Sequence, residues 1–137
     1  MNMKQLALVF LGSGVGGSLR WAISGAIHGW LRTGAGDAAS TPWTLVAGTL
    51  VVNLTGCFAA GVLGSMLAGA AGMREDARLL VMVGLLGGYT TFSAFGRETI
   101  LLLEQRRVVE AGVYVVASAV LGIGAAWAGA RVSGAVA

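Results

Sequence analysis

Apolar residues run through this chain in four long blocks, over residues 4–31, 43–70, 79–103 and 111–130, and polar residues collect between them. An α-helix needs about 20 residues to cross the hydrocarbon core of a bilayer, and each block reaches that length. The pattern predicts an all-α membrane protein of four transmembrane helices. Their connections are short: RTGAGDAASTP over 32–42, GMREDAR over 72–78 and EQRRVVE over 104–110. Thr41 followed by Pro42 is a start signal for the second helix.

The third block is interrupted. Residues 84–96 read GLLGGYTTFSAFG, with four glycines, two threonines, a serine and two phenylalanines in thirteen positions. Glycine costs roughly 1 kcal/mol against alanine in a helix interior, and β-branched threonines loosen the same turn. A broken third helix at mid-membrane is the expectation. Such breaks persist in lipid only where the freed backbone groups are buried in protein or line a wet cavity, so this one points to an ion site.

Composition agrees and narrows the choice. Of 137 residues, 56% are hydrophobic and only 11% charged, against roughly 25% charged in a soluble domain. Four spans use up the length and leave one domain, residues 1–137. Cys57, the single cysteine, lies in an apolar block and serves as a small buried hydrophobe, with no disulfide framework or cysteine metal cluster to build. The net charge of +3 does not indicate nucleic acid, because the nine basic residues stand singly or in pairs between apolar blocks, as membrane-interface anchors do. Lys4 ahead of the first apolar run imitates a signal peptide, yet the run continues to about Trp30 and no polar mature domain follows.

Four spans put both termini and the 72–78 connection on one side. That side carries Lys4, Arg74, Arg78 and Arg131, against Arg32, Arg106 and Arg107 on the other, with Arg20 and Arg97 inside spans. The positive-inside rule needs an asymmetry, and four against three is barely one. Insertion in both orientations is expected, and with it an antiparallel two-fold homodimer, which so small a bundle needs to enclose a pathway.

The polar residues inside the blocks are few. Asn53 in VVNLTG brings an amide into the bilayer, where it needs partners, and Thr49 lies one turn before it on the same face. Tyr114 and Ser118, four apart, share a face of the last helix and line up with Asn53 and Thr49 if the second and fourth helices flank one groove. The alternative is internal glue, worth about 0.6 kcal/mol per interhelical bond. Arg20, beside Trp21, either snorkels to an interface or faces an aqueous vestibule. His28 and Trp30 read as interfacial residues, and Arg97 with Glu98 as an opposite-charge pair near the far end of the third helix. Gly12 with Gly16 and Gly25 with Gly29 form two small-xxx-small pairs for close helix approach.

No intramembrane carboxylate pair, second histidine or nucleophile beside a base stands in these blocks, so enzyme chemistry is not expected. Neutral donors and aromatic rings remain. Asparagine, serine, threonine and tyrosine all donate, and a phenylalanine edge carries the positive part of the ring quadrupole, which suits a small anion better than a cation. Phe92 and Phe95, three apart, present such edges from one face, although core or lipid packing is the plainer use of such a pair.

GTLVVNLTGCF in the second block, GLLGGYTTFSAFGRET in the third and YxxxS in the fourth together resemble the small bacterial fluoride channels, over all four blocks. The resemblance implies a passive fluoride-selective channel of the cell's inner membrane, in contact with lipid on its outer face. It further implies a dual-topology antiparallel homodimer with two pores and a structural sodium ion on the two-fold axis. Residue by residue, Phe92 and Phe95 match the pore aromatics, Asn53 the pore asparagine, and Thr49, Ser93, Tyr114 and Ser118 the polar positions along the route. Gly87 and Thr90 match the carbonyl donors to sodium, and Arg20 a vestibule arginine. One departure is Gly122, which stands one turn after Ser118 where a hydroxyl is common. Two rivals share the length and charge balance: a small multidrug exporter, disfavoured because the first block holds no acid, and a non-conducting membrane scaffold.

Overall fold

In a computed structural model, residues 2–34, 41–69 and 75–134 are described, and their regular structure is entirely helical. Helix α1 runs Met3–Gly34 and α2 Pro42–Gly69; a short α3, Glu75–Arg78, passes into π-helical turns over Leu79–Leu86 and then α4, Gly87–Tyr89. After it come α5, Phe92–Glu104, and α6, Val108–Val132. Four spans are long and apolar enough to cross a membrane: Met3–Thr33, Pro42–Met66, Glu75–Glu104 and Val108–Val132. The protein is therefore a multi-pass membrane protein. Arg74, counted above for orientation, lies outside the described residues, as do residues 35–40 of the first connection.

Helix starts and stops follow local chemistry. Pro42 opens α2, where its missing N–H costs nothing, and the Thr44 hydroxyl donates back to the Thr41 carbonyl at 2.7 Å. Helix α5 ends in a turn where Arg106 takes φ 63°, and α6 begins two residues later.

Glycine sets how closely the helices approach. A Cβ on Gly12 would come within 2.9 Å of the Gly84 Cα, so α1 and the π-helical turns meet backbone to backbone. Gly61 of α2 and Gly129 of α6 do the same: a side chain on Gly61 would collide with the Ala126 carbonyl, and one on Gly129 with the Phe58 carbonyl. Of the two glycine pairs noted on α1, Gly12 and Gly16 pack in this way, whereas Gly25 and Gly29 face open space. The α2–α6 pair is the most extensive contact in the bundle. A small core of Val46, Leu102, Ala111 and Tyr114 lies between α2, α5 and α6, with Leu45, Leu50 and Phe95 packed on it.

Large apolar side chains such as Phe10, Trp21, Phe92 and Ile123 point outward and are highly exposed. Lipid tails are as apolar as leucine, so a bilayer accepts this surface where water would not. At the charged end, Lys4 pairs with Asp76 and Arg78 with Glu75, all exposed; exposed pairs add little stability.

Candidate functional site

Thr90 and Thr91 leave the helical conformation, with φ/ψ of −79°/158° and −150°/122°, and this two-residue extended step separates α4 from α5. Side chains of α2 and of the step itself hold it. The Asn53 side chain of α2 takes both backbone groups of Thr91: Nδ2 donates to the Thr91 carbonyl at 2.9 Å and Oδ1 accepts from the Thr91 N–H at 2.8 Å. The Thr91 hydroxyl caps α5 by accepting from the Ala94 N–H at 3.2 Å, and it lies 3.1 Å from the Ser93 hydroxyl. Tyr89, just before the step, sets its hydroxyl 2.8 Å from that of Thr55 on α2. One turn of α2 is thus shaped to receive the step, which explains how peptide groups outside a helical ladder are satisfied in a membrane.

Beside the step a cleft of about 660 Å³ opens between α1, α2 and α5, lined by Arg20, His28, Thr49, Thr91, Ser93, Arg97 and Glu98 among others. Two guanidinium groups face one carboxylate there, so the balance of fixed charge favours anions. Glu98 is 9% exposed and takes two hydroxyl donors: Thr49 Oγ1 at 2.5 Å on Oε1 and Tyr114 OH at 2.7 Å on Oε2. Thr49 on α2 and Tyr114 on α6 are themselves buried, 5% and 1% exposed. Thr49 of α2 and Tyr114 of α6 thus meet on one carboxylate of α5, while Asn53 bonds Thr91.

Each residue singled out by the pattern has a definite place. Arg20, Thr49 and Ser93 share the cleft, and Tyr114 joins them through Glu98. Ser118 follows one turn along α6, half-buried. Phe95 lies between Phe92 and Tyr114, its ring centroid 5.3 Å from one and 5.2 Å from the other. Phe92 is 83% exposed, on the outer surface of this single chain. Asn53 is occupied with Thr91 as described. Arg20 Nη1 approaches the Thr90 carbonyl at 3.5 Å, longer than the ~2.9 Å of a good N–H···O bond, so that carbonyl is not committed to it. Among the described residues no three His, Cys, Asp or Glu side chains group as metal ligands.

Glu98 is the residue that sequence reasoning misplaced. Paired on paper with Arg97, it turns inward while Arg97 stays exposed, because successive helical positions are about 100° apart. The signal was present: Phe95, Glu98 and Leu102 follow the i, i+3, i+7 spacing of one face, and Leu102 is fully buried.

These elements make up a small four-span membrane protein with a polar cleft, lined by two arginines, beside an extended step. The chain is a member of the CrcB-like protein family, described as Camphor Resistance (CrcB), whose model matches residues 7–130. Similar proteins include the fluoride-specific ion channel FluC of Methylobacillus flagellatus, 38% identical over 127 residues that cover 93% of this chain and 92% of that one. The fluoride-specific ion channel FluC of Rhizobium leguminosarum is 39% identical over 135 residues, 98% of this chain and all of the other. That of Granulibacter bethesdensis is 38% identical over 123 residues, 90% and 89% of the two chains.

Proposed function

We propose that this protein is a passive fluoride-selective ion channel of the cell's inner membrane. The observation that carries the reading is the buried meeting of Thr49 and Tyr114 hydroxyls on Glu98 at the floor of a cleft with two arginines. It occurs in a chain whose relatives over nearly full length are fluoride-specific ion channels. Fluoride is small and strongly hydrated, so stripping its water takes several donors at once, each weak enough to let it leave. Neutral hydroxyls and ring edges meet both demands. Glu98 orients the Thr49 and Tyr114 hydroxyls, and because each has one proton, a passing anion receives them only as they leave the carboxylate. Ser93, Phe95 and Ser118 extend the line on either side, and the second N–H of the Asn53 amide remains available after one has gone to Thr91. Arg20 attracts the anion into the cleft from the vestibule.

The channel works as a dual-topology antiparallel homodimer with two pores. Phe92, on the outer surface of one chain, is then covered by the inverted copy and faces an anion path there. The broken third helix meets its mate on the two-fold axis, where Gly87 and Thr90 of each chain offer carbonyls to a structural sodium ion. The donor set fits such an ion: the extended backbone of Thr90 turns its carbonyl out of the helical ladder, and hard cations take oxygen ligands. Bound there, sodium offsets the repulsion of unpaired carbonyls and lowers the electrostatic penalty of the anions.

Flux measurement tests the reading. Purified protein in vesicles loaded with fluoride should release it down its gradient, as a fluoride electrode records, and Phe95→Ile should slow release by ten-fold or more, at about 1.4 kcal/mol per decade. Protein that moves no fluoride removes the channel reading and leaves the scaffold alternative; unchanged release by Phe95→Ile rejects the aromatic assignment.

A further inference from the structure

Of the two arginines in the cleft, only Arg20 has a role in the pathway so far. The charge of Arg97 is not used up by its neighbours. Glu98, next to it in the chain, turns inward and accepts hydroxyl bonds from Thr49 and Tyr114 on its two oxygens, while Arg97 stays exposed. The ion pairs among the described residues take Lys4, Arg78 and Arg107 as their cations, and Arg97 is in none of them.

Helix geometry fixes where Arg97 stands. Arg20 reaches toward the Thr90 carbonyl, so its guanidinium is level with the extended step. Arg97 is six residues past Thr91 on α5, which at 1.5 Å per residue places its backbone about 9 Å farther along. It is also seven residues short of Glu104, where α5 ends, and so about 10 Å inside the span. Charged residues at such depth almost always face the bundle interior or a water-filled cavity. The cleft supplies one. Gly12 lies against Gly84 and Gly16 against Tyr89, so α1 and the third span run the same way. The lining of the cleft on α1 extends from Gly17 to His28, about 16 Å of helix that continues beyond Arg20 alongside Arg97.

The two guanidinium groups thus stand in series, Arg20 beside the step and Arg97 outward of it. The fixed charges of the lining are these two and Glu98, which is within electrostatic reach of Arg97. One carboxylate offsets one guanidinium, and His28, also in the lining, is negative in neither of its forms. The cleft keeps a net positive charge. We propose that Arg97 is the capture residue of this channel: it concentrates fluoride in the outer part of the cleft, before the ion reaches the Thr49–Glu98–Tyr114 cluster, and so sets the rate of entry. The role rests on the fluoride-channel reading for its ion. A unit charge about 5–8 Å from an anion changes the anion's local concentration about two- to fourfold at the dielectric of water. Salt screens this attraction, since the Debye length falls from about 30 Å at 0.01 M to about 3 Å at 1 M.

Fluoride release from vesicles tests the role at fluoride well below saturation, where entry limits the rate. A potassium ionophore carries the balancing charge, and one potassium salt of an impermeant anion is present equally on both faces. Native protein, Arg97→Lys, Arg97→Gln and Arg97→Glu are compared at ionic strengths of about 0.01 M and about 1 M. At low salt Arg97→Lys should match native protein, Arg97→Gln should run about two- to fourfold slower, and Arg97→Glu slower again by a similar factor, so that the rate follows the charge at position 97. At high salt the four rates should converge. The ratio of the two rates within one preparation is independent of yield, so incomplete folding of a variant does not imitate the result. No release by native protein at either ionic strength rejects the channel and this role with it. Three results overturn the role of Arg97 and leave the channel standing: Arg97→Gln at the native rate in low salt, Arg97→Lys as slow as Arg97→Gln, or variants slowed by the same factor at both ionic strengths.

Discussion

Asn53 spends both ends of its amide on the backbone N–H and C=O of one residue, Thr91. In water such a pair would compete with solvent; within a bilayer the alternative is an unsatisfied N–H and C=O, which makes the clamp a condition for the extended step. Asn53→Asp keeps the acceptor and replaces the donor with a second oxygen aimed at the Thr91 carbonyl. Loss of that bond, with a carbonyl left unpaired, should cost about 1–3 kcal/mol, seen as a lower unfolding temperature in detergent, and should slow fluoride release as well. A variant with native melting and native flux would remove Asn53 from both roles. Its sequence context alone leaves glue and pathway unresolved, because the amide has more hydrogen-bonding capacity than the Thr91 clamp requires.

At the scale of the helices, close packing depends on where glycines face rather than on how many there are. Gly61 and Gly129 stand at backbone contact between α2 and α6, while Gly124, also on α6, has nothing within 4 Å of its added Cβ. Gly61→Val should therefore force the two helices apart and cost more than 3 kcal/mol, at the upper end of single-site effects, whereas Gly124→Ala should stay within about 0.5 kcal/mol. Comparing the folded fraction of the two variants after detergent extraction checks this, and equal yields would contradict the packing. The spacing on α1 shows the same limit from the other direction. Gly12–Gly16 and Gly25–Gly29 look identical as motifs, yet only the first pair meets a neighbouring backbone, because a 13-residue separation turns the second pair by about 220° onto another face of α1.

For the whole molecule, orientation follows from the balance of flanking charge. Large apolar side chains cover the outside of one chain, Phe92 among them, and a single chain leaves one side of its cleft unwalled. An inverted second copy would wall it. A reporter on the C-terminus, assayed in both compartments, should give signal on both sides of the membrane, since the flanking charges are nearly balanced. Signal confined to one side would sink the antiparallel dimer and the two-pore arrangement with it.

Four spans, membrane residence and family were legible in the chain because each depends on pattern along a line. A block of twenty apolar residues spans a bilayer whatever its neighbours do, and a motif as dense as GLLGGYTTFSAFGRET survives reading one residue at a time. Glu98 and His28 were not legible in the same way. Beside Arg97, Glu98 looks like half of a surface ion pair, and His28 looks like an interfacial ring; what each does depends on which residues stand across from it. Only the packing of α5 between α2 and α6 brings Thr49 and Tyr114 to one carboxylate, and only the absence of a side chain at Gly48 admits the imidazole. These two bonds join residues 49 and 16 apart in sequence, and tertiary packing alone decides which of the possible partners meet.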